Sequence, residues 1–347
     1  MHIQITGKDC SIDFEAGPED RILHAGLKAG FPLPYECASG TCGACRASLV
    51  SGEVRELWAQ APGRRFLKSG STDILMCQSA PTADCSLRVR VPLAREGVDP
   101  FTPSERSATI GAAKSLTDDV LWFQVPLASP WRFKAGQFML VGAPGLSGGR
   151  AYSMTNYAEP TRSLEFVMKR KPGGGFSALA FGERFVGTRL TLFGPLGNAI
   201  FEPGLARNLL VIAGGTGIAG MMAILAHAGD AGHFTRHRAD VFFGVRTGRD
   251  VFFLDELGSL VERFPDSVAV TVALSDEPPT AVLRARYPRL HFEQGYVHDV
   301  ARSGMAGRYA DTRAFLAGPP VAVEAALKVL VLEARLPVTE IRYDKFG

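Results

Sequence analysis

The sequence predicts a multidomain chain. A compact unit of short strands around one helix comes first, then an antiparallel barrel, then a doubly wound α/β domain. Three observations predict it. Among short alternating runs, Cys37, Cys42, Cys45 and Cys77 stand in the spacing C-x4-C-x2-C with a distant fourth cysteine. Strand-like runs separated by turn residues fill about residues 105 to 203. Beyond residue 204 strands alternate with helical segments, and the first of those strands runs into a glycine-rich turn. A length of 347 residues fits about two or three domains.

The cysteine spacing is that of a plant-type [2Fe-2S] ligand set, with Cys37, Cys42, Cys45 and Cys77 as the iron ligands. Three thiolates on one short loop surround a cluster only if the backbone folds back over the sulfides. Gly40 and Gly43 leave that room, and the loop amides can then point at sulfur. A structural zinc site would favour paired C-x2-C units, and only Cys42 and Cys45 form one. Six cysteines would also permit a disulfide framework, which needs an oxidising compartment. The segment Met1 to Cys10 has no positively charged start followed by an apolar run. Cys10 and Cys85 fall outside the spacing and read as ordinary reduced thiols.

Composition narrows the class further. Hydrophobic residues make up 46% of the chain and the formal charge is only +3, so nucleic acid is not suggested. No apolar stretch approaches the roughly 18 to 20 residues of a membrane span. A soluble, cytoplasmic monomer is expected.

Residues 1–92 form the first unit. Ile3-Gln4-Ile5 and Ile12-Asp13-Phe14 alternate as strands around a Gly7-Lys8-Asp9 turn. From Asp20 the apolar positions Ile22, Leu23, Ala25, Gly26, Leu27 and Ala29 predict a helix ended by Gly30 and Pro32. A strand from Arg46 to Val50 follows the cysteine loop, Ile74-Leu75-Met76 delivers Cys77, and a strand over Leu87 to Val91 closes the unit. This stretch resembles a plant-type ferredoxin, which implies a β-grasp fold. Residues 93–104, with Gly97, Pro100 and Pro103 among charged residues, read as a linker.

In residues 105–203 the runs 108–112, 120–125, 138–141, 164–168 and 189–193, together with Arg150-Ala151-Tyr152-Ser153, predict six strands of an antiparallel barrel. Alternation would present Arg150 and Tyr152, a cation and a flat ring, on one face. By itself such a tetrapeptide is more often the mark of cross-strand packing. Downstream, Lys169-Arg170-Lys171-Pro172-Gly173-Gly174-Gly175-Phe176-Ser177 places glycines before a helix opening near Ser177, where free amides form an anion site; the basic run is otherwise a solvated loop. This order resembles the flavin barrel of the ferredoxin-NADP reductase superfamily. The resemblance implies that Arg150 and the turn Gly174, Gly175 and Ser177 carry phosphate, that Tyr152 packs on the isoalloxazine and that Ser153 approaches flavin N5. It also assigns Met168, Lys169 and Phe176 to the FAD site. Gly194-Pro195-Leu196-Gly197 matches the family's turn at the end of the barrel. Gly145-Leu146-Ser147-Gly148-Gly149 spells G-x-S-x-G, but it lacks the strand before and helix after that a nucleophile elbow needs.

Residues 204–347 are expected to bind NAD(P)H. Strands are predicted at 209–213, 240–244, 268–274, 295–297 and 313–317, with helices from the first turn through Ala228 and at 254–263, 298–308 and 319–335. Gly215, Gly217 and Gly220 spell G-x-G-x-x-G between a strand and a helix, yet the second strand ends Gly244-Val245-Arg246-Thr247 with no acid for a ribose. The segment is closer to the pyridine-nucleotide half of the same reductase superfamily. That resemblance implies nucleotide binding by Gly214, Gly215, Thr216, Gly217, Arg246, Gly318 and Pro319. It also implies catalytic parts for Ser153, Thr216 and Phe346, the last covering the flavin from the terminal aromatic segment. Gly220 stands where the family usually has Pro, and Ala317 where it usually has Cys beside the nicotinamide. His233 and His237 lie four apart without the acid of a zinc motif, and read as a charged connection. Arg64, Arg65 and Lys68 could steer an acidic partner, though a solvated face is the commoner reading.

Hydride carries two electrons and an iron–sulfur cluster accepts one; a flavin, with three oxidation states, converts between them. The whole chain is similar to the NADH-using reductase components of Rieske non-haem iron oxygenases and diiron monooxygenases. That similarity implies a terminal oxygenase component or an intermediate ferredoxin as partner, in aromatic catabolism. A deoxysugar-forming system has the same layout. A ferredoxin-like carrier module without NADH activity is the alternative of another class. Arg246 and Arg249 stand where a 2′-phosphate could be gripped, so NADPH stays open beside NADH.

Overall fold

A computed structural model describes residues 1–94 and 97–345. Two compact units divide the chain.

The first unit comprises Met1–Ser107, Met139–Ala151 and Thr191–Leu196. It opens with β1 (His2–Thr6) and β2 (Ser11–Glu15), an antiparallel hairpin in which Ile3 faces Phe14 and Ile5 faces Ile12. All four side chains are buried, each contributing about 1.5–3 kcal/mol, while His2, Gln4, Asp13 and Glu15 alternate to solvent. Helix α1 (Ile22–Lys28) buries Ile22, Leu23, Ala25 and Leu27. Gly26 lies so close to Leu33 that a Cβ there would come within 2.4 Å of it, and the chain leaves the helix through Gly30 at φ +81°. Then come β3 (Arg46–Ser51), β4 (Val54–Glu56), β5 (Asp73–Leu75), β6 (Ser79–Pro81) and β7 (Cys85–Arg88). The main sheet has the order β2-β1-β7-β3-β5, with β1 and β7 parallel, and β4 pairs with β6. The closing strand stops at Arg88 rather than continuing to Val91: beyond it Val89 still donates to Thr6, but Val91 is exposed and its carbonyl bonds Lys8 outside the ladder.

The middle strands are β8 (Ser104–Thr109), β9 (Ala112–Ser115), β10 (Val120–Trp131), β11 (Phe138–Gly142), β12 (Arg150–Ser153), β13 (Thr161–Lys169) and β14 (Arg189–Leu196), with the short helix α2 (Gly175–Ala180). They form seven strands in two sheets, β12-β11-β14-β8 and β13-β10-β9. The run expected at 108–112 breaks at Ile110 and Gly111, whose amides turn to the carbonyls of Thr188 and Gln124, so its two halves serve different sheets.

The second unit comprises Ala108–Phe138, Tyr152–Leu190 and Gly197–Gly347. Its large sheet joins β15 (Asn208–Gly214), β16 (Ala239–Val245), β17 (Val268–Leu274), β18 (His291–Gln294), β19 (Thr312–Gly318) and β20 (Ile341–Lys345) in the order β18-β17-β16-β15-β19-β20, every pair parallel. Helices α3 (Ile218–Asp230), α4 (Leu254–Arg263), α5 (Ala281–Arg286), α6 (Val297–Gly304) and α7 (Pro320–Lys328) connect them. On β15, Leu209, Val211 and Ala213 enter one core and Leu210 and Ile212 the other, which is why the strand is apolar throughout. The first core also takes in Val120, Val167 and Phe201 from outside the sheet. The strand expected at 295–297 lies instead at His291–Gln294, since Gly295 adopts φ +141° and Val297 opens α6. Strand order reverses between β15 and β19, and at such a crevice open α/β sheets bind ligands.

Candidate functional site

The cysteine loop folds as its glycines require. Gly40 and Gly43 have φ of +96° and +78°, and Cβ atoms there would meet the side chains of Gln78 at 2.9 Å and Phe66 at 2.7 Å. The loop amides turn inward onto sulfur. Those of Ser39, Thr41 and Cys42 donate to Cys37 Sγ at 3.4–3.5 Å, and those of Cys37 and Ala44 to Cys42 Sγ. Cys77, carried on the turn Met76–Gln78 after β5, brings its sulfur to 3.2 Å from that of Cys45. A hydrogen bond from the Cys42 thiol, helped by the amides, pushes the Cys37 thiol down to about 4. The Cys42 and Cys77 thiols are pushed up, first by their bonds to neighbouring sulfur and then by burial. Among the described residues no three His, Cys, Asp or Glu side chains converge as one ion would require. Two sulfur pairs, Cys37 with Cys42 and Cys45 with Cys77, fit two irons bridged by sulfide better than one zinc.

Two residues on and beside α1 escaped the sequence reading. Arg21 is largely buried, its Nε has no partner among the described residues, and burial lowers its pKa against the pull of Cys77 and Glu105. His24 stacks on Phe193 of β14, centroids 4.2 Å apart, with Nε2 3.3 Å from the carbonyl of Ala38, a non-glycine loop residue at φ +51°. Burial, then the neighbouring Arg21, pushes its pKa down to about 3, so the ring is neutral. A helix of alternating buried positions offers no sequence signal that these two polar residues face inward.

Along β12, Arg150 is exposed and donates to the carbonyls of Ser147 and Gly148, within the loop that spells G-x-S-x-G. That loop leads into a strand, so hydrolase geometry is missing. Tyr152 joins an aromatic group, its ring 5.5 Å from Phe176 and 6.2 Å from Phe123. Ser153 and Met168 are buried. Lys169 pairs with Asp119 at 3.0 Å and Arg170 lies over the Phe181 ring, so this basic run is partly committed within the protein. Helix α2 begins at Gly175, behind Gly174, and Ser177 lies inside it with Oγ accepting the Lys171 amide at 2.7 Å. Ser153 is brought against α3: a Cβ on Gly220 would fall 3.2 Å from Ser153 Cβ and 3.4 Å from its Oγ. The glycine at that unusual position is where strand and helix touch.

At the sheet's switch point the loops after β15 and β19 press backbone on backbone. A Cβ on Gly217 would lie 2.4 Å from the Ala317 carbonyl, and one on Gly318, at φ +145°, would lie 3.0 Å from the Gly214 carbonyl oxygen. Gly215 (φ +52°) and Thr216 complete the turn into α3, and Pro319 stands exposed beside Gly214. The end of β16 gains the carboxylates its sequence lacks. Asp250 accepts the amide and hydroxyl of Thr247 and lies 3.9 Å from Arg246, while Glu277, from the turn after β17, accepts the Gly248 amide at 2.7 Å. Phe346 lies outside the described residues; before it, Tyr343 and Asp344 pair in register with Leu316 and Ala317. The rings of His233 and His237 stack 4.8 Å apart.

Comparison with known proteins accounts for all three segments. Residues 3–82 match the 2Fe-2S iron-sulfur cluster binding domain, 107–201 the oxidoreductase FAD-binding domain and 211–328 the oxidoreductase NAD-binding domain. The chain is 32% identical to the ferredoxin–NAD(+) reductase component of the alkene monooxygenase system of Xanthobacter autotrophicus, covering 96% of this chain and 97% of that one. It is 33% identical to the ferredoxin–NAD(P)(+) reductase CarAd of Metapseudomonas resinovorans, covering 95% of each. A solved structure, the ferredoxin reductase in carbazole 1,9a-dioxygenase, superposes with a TM-score of 0.83 at 32% identity over 100% of this chain and 99% of that one. The cysteine loop, the flavin and nucleotide segments and these end-to-end likenesses agree: the chain belongs to the ferredoxin–NAD(P)+ reductases that serve as reductase components of oxygenase systems.

Proposed function

We propose that Cys37 and Cys42 hold one iron of the cluster and Cys45 and Cys77 the other. The separation of the sulfurs into two pairs carries this assignment. The protein is an NADH-dependent reductase with FAD and a [2Fe-2S] cluster. A bound flavin takes up electrons in pairs and gives them up singly, as a one-electron cluster requires. Arg150, Gly174, Gly175 and Ser177 receive its anionic end, Tyr152 and Phe176 flank its ring, and Met168 and Lys169 line the same site. The Ser153 hydroxyl is held toward flavin N5 by the contact with Gly220. Gly214, Gly215, Thr216, Gly217, Gly318 and Pro319 leave backbone, not side chain, against the nicotinamide nucleotide. Arg246, with Asp250 beside it and Glu277 on the amide of nearby Gly248, faces its ribose, and those carboxylates favour NADH over the extra phosphate of NADPH. In this reading residues 1–92 are a β-grasp ferredoxin domain, 93–104 a linker, 105–203 an antiparallel flavin barrel and 204–347 the NADH domain, in a cytoplasmic monomer.

The acceptor is the terminal component of a multicomponent oxygenase, or a ferredoxin that precedes it. We favour a Rieske dioxygenase of aromatic catabolism because the carbazole dioxygenase reductase matches this chain over its whole length. The equal likeness to an alkene monooxygenase component supports a monooxygenase as the second reading. Anaerobic stopped-flow mixing with NADH is expected to bleach flavin absorbance first and cluster absorbance after it. A cluster reduced by dithionite but never by NADH would leave only the carrier module.

A further inference from the structure

We propose that the exposed edge of the cysteine loop is set in a cationic docking face that receives an acidic surface of the electron acceptor. The inference rests on the electron-export function above and names the chemistry of its partner.

Cys37, Cys45 and Cys77 are buried, and the loop reaches the surface at Thr41, Cys42, Gly43 and Ala44. Electrons therefore leave over that edge. On one flank lies a cavity of about 160 Å³ whose wall includes Gly43 and Ala44 of the loop and Arg46, Arg88 and Arg90. On the other flank the turn Pro62–Phe66 packs directly on the loop, with the Gly63 amide donating to the Gly40 carbonyl at 2.8 Å and Phe66 against Gly43. That turn carries Arg64 and Arg65 and leads to Lys68, all exposed.

Six cations thus frame the edge. Among the described residues two of them have a carboxylate beside them: Arg46 acts on Asp73, which Ser48 holds at 2.6 Å, and Arg64 pairs with Glu56. Arg65, Lys68, Arg88 and Arg90 have no carboxylate partner among the described residues, and Arg65 merely lies over the Phe66 ring at 4.7 Å. Phe66, packed against Gly43, is an exposed, large apolar side chain on this face. Aromatic contacts ringed by arginine are what a protein interface is made of, and unpaired like charge steers a partner of opposite sign. The face therefore selects an acceptor rich in Asp and Glu around its own redox centre.

The test uses the holoprotein with excess NADH and two haem proteins of opposite sign, acidic cytochrome b5 and basic cytochrome c. In the R88E/R90E variant the bimolecular rate constant for cytochrome b5 should fall about tenfold at low salt while that for cytochrome c rises, and both differences should vanish toward about 0.5 M salt. R65E/K68E, on the opposite flank and fully at the surface, should act in the same sense. NADH-driven bleaching of the cluster should be unchanged in both. If the two acceptors slow or quicken together, the charges act on the cluster's potential and docking is refuted; if neither responds, the face is only solvated. Failure of NADH to bleach the wild-type cluster would instead remove the electron-export function itself.

Discussion

Arg21 brings a positive charge into the interior beside Cys77, with its Nε left without a partner among the described residues. A cation there favours the more negative, reduced form of a cluster bound by Cys77. Arg21→Gln should lower the midpoint potential by several tens of millivolts, and Arg21→Lys should restore part of it, as read by anaerobic titration of cluster absorbance. His24 makes a stability prediction. Its ring titrates near 6.5 in the unfolded chain and about 3 in the folded one, so the unfolded state binds the extra proton between those values. Stability is whole above pH 6.5 and is lost as pH falls toward 3, by at most about 1.4 kcal/mol per pH unit. Urea unfolding at a series of pH values should show a shallower acid slope in His24→Leu. At the end of β16, Asp250→Asn with Glu277→Gln removes two charges beside the segment Arg246 to Gly248, and in the proposed NADH site kcat/KM for NADPH should rise about tenfold relative to NADH.

Among the elements, the meeting of the loops after β15 and β19 tolerates no side chain. Gly217→Ala places a Cβ 2.4 Å from backbone at Ala317, which is not a flexible neighbour. It should destabilise the second unit by about 2 kcal/mol or more and abolish NADH binding, measured by thermal unfolding and by flavin bleaching, while cluster absorbance stays intact. How well each element could be read follows from its burial. β17 and α4 were legible to the residue, because Val268–Leu274 is apolar on both faces and Leu254–Arg263 has a clear inward side. α5 has no buried residue and β18 only Phe292, so neither leaves a periodic trace. β4 and β6 are three residues each, too short for alternation to register. The cysteines that the structure brings together stood out by their spacing, three of them within one loop. Gly248 with Glu277, and His24 with Phe193, did not, since 29 and 169 positions separate partners that only the tertiary fold unites.

For the whole molecule, division of labour between the units is the testable property. Cys45→Ser should remove the cluster's visible absorbance and abolish reduction of cytochrome c, while NADH still bleaches the flavin at a rate within about twofold of the wild type, since no nucleotide or flavin residue is touched. The 3.2 Å approach of Cys45 to Cys77 reaches further. Stripped of iron and left in air, those two thiols can surrender two electrons and two protons to oxygen and become a covalent bond. Such a bond closes the door through which metal would return. Aged apoprotein should therefore show two fewer titratable thiols and refuse iron and sulfide until dithiothreitol is added, making the organism's thiol-reducing machinery a silent requirement for keeping this enzyme in repair.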